Sequence, residues 1–356
     1  MDPRIKELAR ILTDYSIKIK KGDKIVLSFD AEAKALGLEC YKNILKKGAF
    51  PVVHVGLPGF GYAYYSLASD EQLKSFPELA MHEVKSCQGH IGIGAEYNTK
   101  EFSNVDPKKF ALRSKATQKV SDFAVNQNNW VGTEIPTQAL AQDAEMSLEE
   151  FEDFVYSATN VDWAEESKKQ DKLKAVLDKG EQVHIIGENT DLTFSIKGRQ
   201  GIKCDGKRNM PDGEVFIAPV DDSAEGHIEY SFPIIRGGRE VQGVKLEFKK
   251  GKVVKATAEK NEAFLKEMLE TDEGAKRLGE FGIGLNFGIT KFIKQILFDE
   301  KIGGTIHLAL GRAYKEGGGK NESAIHWDMI KDLRTTGKFL IDGKVIMEKG
   351  EFKIEL

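Results

Sequence analysis

His326-Trp327-Asp328 is the stretch of this chain whose residue types and spacing point most directly to chemistry. In an extended chain residues two apart share a face, so His326 and Asp328 converge while Trp327 turns away. An imidazole beside a carboxylate can chelate a borderline divalent metal. The same HxD pair also occurs as a buried hydrogen-bonded couple, so alone it decides nothing. Upstream, residues 304–311 alternate as a half-buried strand. His307 shares one face with the small residues Thr305 and Ala309, and Ile306, Leu308 and Leu310 take the other. An imidazole among small residues has room for a ligand beside it, although a backbone carbonyl could equally satisfy it. Two carboxylates stand out by their surroundings. Glu214 begins an apolar strand after the turn Pro211-Asp212-Gly213, and Glu280 lies within Leu278-Gly279-Glu280-Phe281-Gly282. Burying an unpaired carboxylate is expensive, so such placement calls for a cation or several donors, unless the strand edge is open to water.

Other chemistries lack their signatures. Gly92-Ile93-Gly94 is followed by Tyr97 where the dinucleotide fingerprint needs its third glycine, and Gly282, Gly284 and Gly288 are spaced one residue too wide. These glycines read as turn and packing positions. There is no Walker A sequence, no GxSxG elbow and no HExxH. Cys40, Cys87 and Cys204 form no CxxC pair, which predicts free thiols in a reducing compartment and excludes a cysteine zinc knuckle. The 52 basic and 56 acidic side chains leave a net charge of −4, which removes any global attraction to nucleic acid or acidic membrane. The amino terminus lacks the apolar core of a signal peptide, and no stretch approaches about 20 apolar residues, so no membrane span is expected. The setting expected is cytoplasmic.

The elements that must position these residues fall into two regions. The length suggests about two domains of roughly 100 to 200 residues. Apolar strands at residues 24–28, 51–55 and 89–93 are separated by helix-length amphipathic stretches, which implies βαβ units and a largely parallel sheet. Ser147 and Glu150 form a capping box, and a further helix covers residues 163–179. After Gly180 strands shorten and tight turns replace helices. Lys249-Lys250-Gly251-Lys252 and Asp342-Gly343 each read as a hairpin turn. The expected fold is therefore α/β, with an amino-terminal domain over residues 1–180 and a β-rich mixed α/β domain over residues 181–356, which holds Glu214, Glu280, His307, His326 and Asp328.

Several ordered blocks resemble one family across nearly the whole chain. NMPDGEVFIAPVDDS (209–223), RLGEFGIGLN (277–286), IGGTIHLALGRAY (302–314) and NESAIHWDM (321–329) are similar to the thermophilic aminopeptidases, which include the aminopeptidase T and aminopeptidase S enzymes. YSIKIKKGDKIVL, VDPKK and WVGTEIPTQALA extend the likeness into the first half. The resemblance implies a two-metal peptidase centre with Glu214, Glu280, His307, His326 and Asp328 as ligands and Tyr314 as the catalytic tyrosine. It also implies peptide substrates and a homodimer.

On that resemblance, three carboxylates oppose two divalent ions, and a bridging hydroxide would bring the cluster to neutrality. Zn, Co and Mn all suit mixed nitrogen and oxygen ligands. At least one carboxylate must bridge; Glu280 and Glu214 both qualify. The ions lower the pKa of the bound water, a carboxylate such as Glu280 shuttles its proton to the departing amine, and Tyr314 donates to the developing oxyanion. The leading expectation is a dinuclear aminopeptidase. The alternatives are another metal-dependent amide hydrolase, such as a dipeptidase or amidase, and a non-enzymatic metal- or ligand-binding protein.

Overall fold

A computed structural model describes residues 2–127, 129–236 and 239–356. Contacts divide the chain into two units, Met1–Asn160 with Gly206–Pro211, and Val161–Asp205 with Asp212–Leu356.

In the first unit, Lys24–Asp30, Phe50–Gly56 and Gly89–Gly94 form strands where apolar runs predict them, and Asn129–Glu134 is a further strand. They join Asn209–Met210 in a five-stranded sheet whose neighbours are all parallel. Ile25, Leu27, Ile91, Ile93 and Val131 supply its buried face. Helix Lys34–Lys46 buries Leu36, Cys40 and Ile44, whose helical spacing gives it one apolar stripe. Helix Leu148–Thr159 starts with the expected reciprocal cap between Ser147 and Glu150.

The second unit is built mainly of antiparallel strands. Gln182–Gly187 and Thr190–Ser195 lie at the middle of an eight-stranded sheet. The two expected hairpins are present there as Lys245–Lys249 with Lys252–Thr257 and Lys338–Ile341 with Lys344–Glu348. A second sheet has the order His326–Asp332, Thr305–Gly311, Leu278–Gly284, Glu214–Ile217 and Ile202–Cys204. The sheets share one apolar core: Phe281 of the second meets Phe194 and Phe339 of the first at ring separations of 5.3 and 5.7 Å. Helix Trp163–Lys179 has the expected bounds and belongs to this unit, adding Leu173 and Leu177 to the core. Periodicity predicts such a helix without saying which sheet receives it. The expected boundary near residue 180 falls at its end.

Two local expectations need correction. Strand Thr305–Gly311 is buried at every residue rather than half-buried, because the face carrying His307 is covered as well. Gly282 and Gly284 are not in turns; both lie within strand Leu278–Gly284. The mixed α/β class, with a parallel sheet first and antiparallel sheets after, is as expected.

Candidate metal centre

The site face of the second sheet follows from strand pairing. Ala309 stands opposite both Glu280 and Asp328, Gly311 opposite His326, Gly282 opposite His307 and Gly284 opposite Glu214. Apolar residues alternate with these and turn toward the core: Phe281 and Ile283, Ile306 and Leu308, Trp327 and Met329. One period-two pattern therefore sends bulky carbon to one side and ligating atoms to the other. The small residues between the ligands leave room for rings and carboxylates to cross the sheet. At Gly282 the need is acute, since a Cβ there would lie 2.0 Å from His307 Nε2. Gly213, with φ +114°, lets the turn before Glu214 approach Asn286. Its amide donates to the Cys204 carbonyl at 2.9 Å, and Asn286 Nδ2 donates to the Asp212 carbonyl at 2.9 Å. Glu214 is thus delivered by a turn tied on both sides.

All five residues expected as ligands meet. His307 Nε2 lies 3.2 Å from Glu214 Oε2 and 3.1 Å from Glu280 Oε1. His326 Nε2 lies 3.7 Å from Glu280 Oε2 and 3.4 Å from Asp328 Oδ1. Two groups of three, Glu214–Glu280–His307 and Glu280–His326–Asp328, can each bring their ligand atoms within 4.8 Å of one another. Glu280 belongs to both. Glu214 Oε2 and Asp328 Oδ1 are buried without a hydrogen-bond partner, so the cluster has acceptors that its own donors do not satisfy. His326 Nδ1 lies 2.8 Å from the Arg312 carbonyl. Donation there leaves the Nε2 lone pair facing the carboxylates, the tautomer that a metal ligand needs. The donor set, mixed nitrogen and oxygen with unsatisfied buried oxygens, fits divalent cations.

Electrostatics agree with that fit. Burial opposes charge on His307, but the close Glu214 and Glu280 carboxylates outweigh it and hold the imidazole well above its usual range. For His326 burial is likewise outweighed, by Asp328 and Glu280, and the group is pushed up to about 9. Burial raises Glu280, the Asp328 charge adding to it against the His307 hydrogen bond. Burial works against ionised Glu214 too, yet Lys301 and His307 bring its carboxyl below the ordinary value. A divalent ion among these groups would take the place of imidazolium protons, so loading should release protons.

Tyr314 follows the His307 strand, its ring 5.2 Å from the His326 ring and 5.4 Å from Phe216. It is 44% exposed. Burial of the hydroxyl, then the Glu280 and Asp328 charges, raise it above its ordinary value, so at neutral pH it is a donor. Cys204 can also come within reach of Asp212 and Glu214. Burial and those two carboxylates push its thiol well up, which disfavours the thiolate a metal would need.

Lys301 was not anticipated. It is wholly buried, with Nζ in contact with Glu300 and 3.6 Å from Glu214 Oε1. In sequence Asp299-Glu300-Lys301 looks like a solvated charge run. The clue was the apolar and glycine context on either side, Ile296-Leu297-Phe298 before and Ile302-Gly303-Gly304 after. Arg312 contributes to the centre through its backbone carbonyl, which faces His326 Nδ1 at 2.8 Å.

Residues 1–352 match the family described as thermophilic metalloprotease. The chain belongs to that family. It is thus an enzyme, a metal-dependent peptidase, and the family implies a divalent metal. Aminopeptidase 2 of Geobacillus stearothermophilus is 26% identical over 100% of this chain and 99% of its own. Aminopeptidase T of Thermus thermophilus is 25% identical over 92% and 91%. In structure the chain is similar to wild-type AmpT from Thermus thermophilus, with TM-score 0.87, 24% identity and 99% of each chain covered. It also resembles 2,5-dihydroxypyridine dioxygenase from Pseudomonas putida, with TM-score 0.61, 11% identity and coverage of 99% and 97%. Both structural likenesses concern the fold. The second likeness, to a protein named for a different reaction, means that function has to be argued from the site.

Proposed function

We propose that this metallopeptidase is an aminopeptidase with a dinuclear centre, acting on the amino-terminal residue of peptides. The observation that carries the proposal is the division of Glu280, with Oε1 3.1 Å from His307 Nε2 and Oε2 3.7 Å from His326 Nε2. One carboxylate thereby serves two three-residue groups, as a co-catalytic pair of ions requires. Glu214 turns Oε1 toward Lys301 and only Oε2 toward the centre, which favours Glu280 over Glu214 as the bridge. His307 and Glu214 would complete one position, and His326 and Asp328 the other.

The ions, when bound, supply Lewis-acid activation of a water. A site carboxylate would take up a proton and return it to the departing amine, and with both Glu280 oxygens assigned to the bridge that role falls to a carboxylate oxygen the ions leave free. The Tyr314 hydroxyl stays protonated, with its ring against His326, and would donate to the oxygen on which negative charge develops. We read the second unit as the catalytic domain, since every one of these residues lies in it. The same reading includes a homodimer and a cytoplasmic setting. Cys40, Cys87 and Cys204 are free, as a reducing compartment allows, and among the described residues no helix is long and apolar enough to cross a membrane.

Chelation followed by reconstitution with Zn, Co or Mn tests the proposal on unblocked and amino-acetylated peptides. The expected result is stepwise release of amino-terminal residues from unblocked peptides only, lost on chelation and restored at two ions per chain. Cleavage of acetylated peptides would instead favour a broader amidase. Full activity at one ion per chain would remove the dinuclear claim. Turnover of dipeptides without longer peptides would favour the dipeptidase alternative.

A further inference from the structure

A cavity of about 300 Å³ opens beside the centre, with His326 and Asp328 in its wall. Most of the remaining lining is apolar, including Ile234, Phe292, Ile296 and Ile330. Arg236, at the end of strand Ile234–Arg236, also lines it. Its Nη1 donates to the His326 carbonyl at 2.6 Å, which fixes the guanidinium beside the ligand strand. Arg199 and Arg334 are paired with Asp221 and Asp332, but Arg236 makes no ion pair among the described residues. The negative charge it senses is Asp328. Once Asp328 is committed to a divalent ion, the charged side chains left in the wall are Arg236, Lys294 and Asp299, and burial pushes the Asp299 carboxyl up to about 8, so the wall becomes positive in character. A partly desolvated guanidinium in such a wall favours an anion, and its planar fork matches a carboxylate in particular.

We propose that Arg236 is a specificity-determining residue that binds a carboxylate of the peptide substrate in this cavity. The inference rests on the aminopeptidase reading above. Two sources present that chemistry within reach of a peptide bond at the centre: the terminal carboxylate of a dipeptide, and the side chain of an amino-terminal Glu or Asp. The apolar lining receives the carbon skeleton that carries the carboxylate.

The test compares kcat/KM for Leu-Leu with Leu-Leu-amide, and for Glu-Leu-amide with Gln-Leu-amide, in metal-loaded protein. The wild-type chain is expected to favour the carboxylate-bearing member of one pair by about tenfold or more, as a charge-assisted bond would. The pair that shows the preference identifies the source. Arg236→Gln should abolish the preference through the favoured substrate while sparing the uncharged member and the metal content. Arg236→Lys should keep part of the preference. A residue that only braces the His326 strand would behave differently, lowering all four substrates together or lowering the bound metal. That pattern, or a wild-type chain without preference in either pair, would overturn the assignment of Arg236 and leave the aminopeptidase reading standing. Should the wild type cleave none of the four, the aminopeptidase reading falls and takes this inference with it.

Discussion

The molecule contains two five-stranded sheets that handle burial in opposite ways. In the antiparallel sheet, strands Leu278–Gly284 and Thr305–Gly311 are buried throughout, and what they bury includes Glu280 and His307. In the parallel sheet, edge strand Phe50–Gly56 leaves Phe50, Val53 and Val55 exposed, and helix Phe60–Leu67, rich in aromatic residues, buries none of its residues. One sheet hides charge and the other displays carbon, each against the ordinary tendency. A buried carboxylate cluster needs compensating cations, and an exposed apolar edge needs an unpolar neighbour. The first sheet is where metal chemistry is tested, and the second is where association with another surface is tested. Substitutions that restore ordinary behaviour on either side should separate their roles.

The largest effect is expected at Gly282. Its Cβ position lies 2.0 Å from His307 Nε2, so Gly282→Ala must displace the imidazole, and a buried ring has no other position facing the carboxylates. Metal affinity should fall by at least about a hundredfold, more than a supporting residue usually commands, and hydrolysis should fall with it. Thermal stability should fall too, because the displaced ring is wholly buried, so metal content is read on the folded fraction. Elemental analysis beside a thermal melt checks this, and full metal content in a folded variant would show that His307 is no ligand.

Next in size is Lys301. Breaking a buried ion pair by removing one partner costs roughly 3 to 5 kcal/mol, because the other charge stays behind. Lys301→Met would leave Glu300 and Glu214 facing each other across the site without their shared cation. Denaturant unfolding of the metal-free protein should show a loss of about 3 kcal/mol or more. Loading should recover part of it, since divalent ions also neutralise Glu214. A loss as small as that expected for the exposed pair Lys266–Glu262, about 0.5 kcal/mol or less, would mean that Glu300 is protonated and the site was never charged as drawn. Burial does lift Glu300, to about 7, so the experiment belongs above neutral pH.

The two sheets were also unequally legible in the sequence. Strand and helix boundaries in the parallel part follow from apolar runs and from one capping box, because local propensity and the fold agree there. His307, His326 and Asp328 could be noticed as ligand types on strands, since period-two alternation survives in one dimension. Their meeting with Glu214 and Glu280 could not be derived, because residues from 27 to 114 positions apart are joined only by strand pairing. Family resemblance supplied that link. Lys301 and Arg236 stayed hidden for a related reason. Their burial depends on what the sheet and the loops before it cover, and a lone cation in a sequence carries no sign of that. The exposure of Phe50, Val53 and Val55 was hidden in the opposite sense, since an apolar strand reads as core whether or not anything lies over it.

The smallest expected effect on folding belongs to that edge. Val55 is 49% exposed on an outermost strand, so exchanging it for lysine removes little buried carbon and creates no buried charge. Lysine on an edge strand is a common natural guard against pairing with another chain. Val55→Lys should therefore change folding stability by no more than about 0.5 kcal/mol. Its consequence should appear in assembly instead. If two copies associate across this edge, the added charges oppose each other and desolvation becomes costly, so light scattering should show the dimer giving way to monomer at micromolar concentration. Hydrolysis per metal-loaded chain then reports whether the antiparallel sheet works alone. A dimer of unchanged mass would move the interface elsewhere and leave the exposed strand to a different cover, while leaving the metal centre untouched.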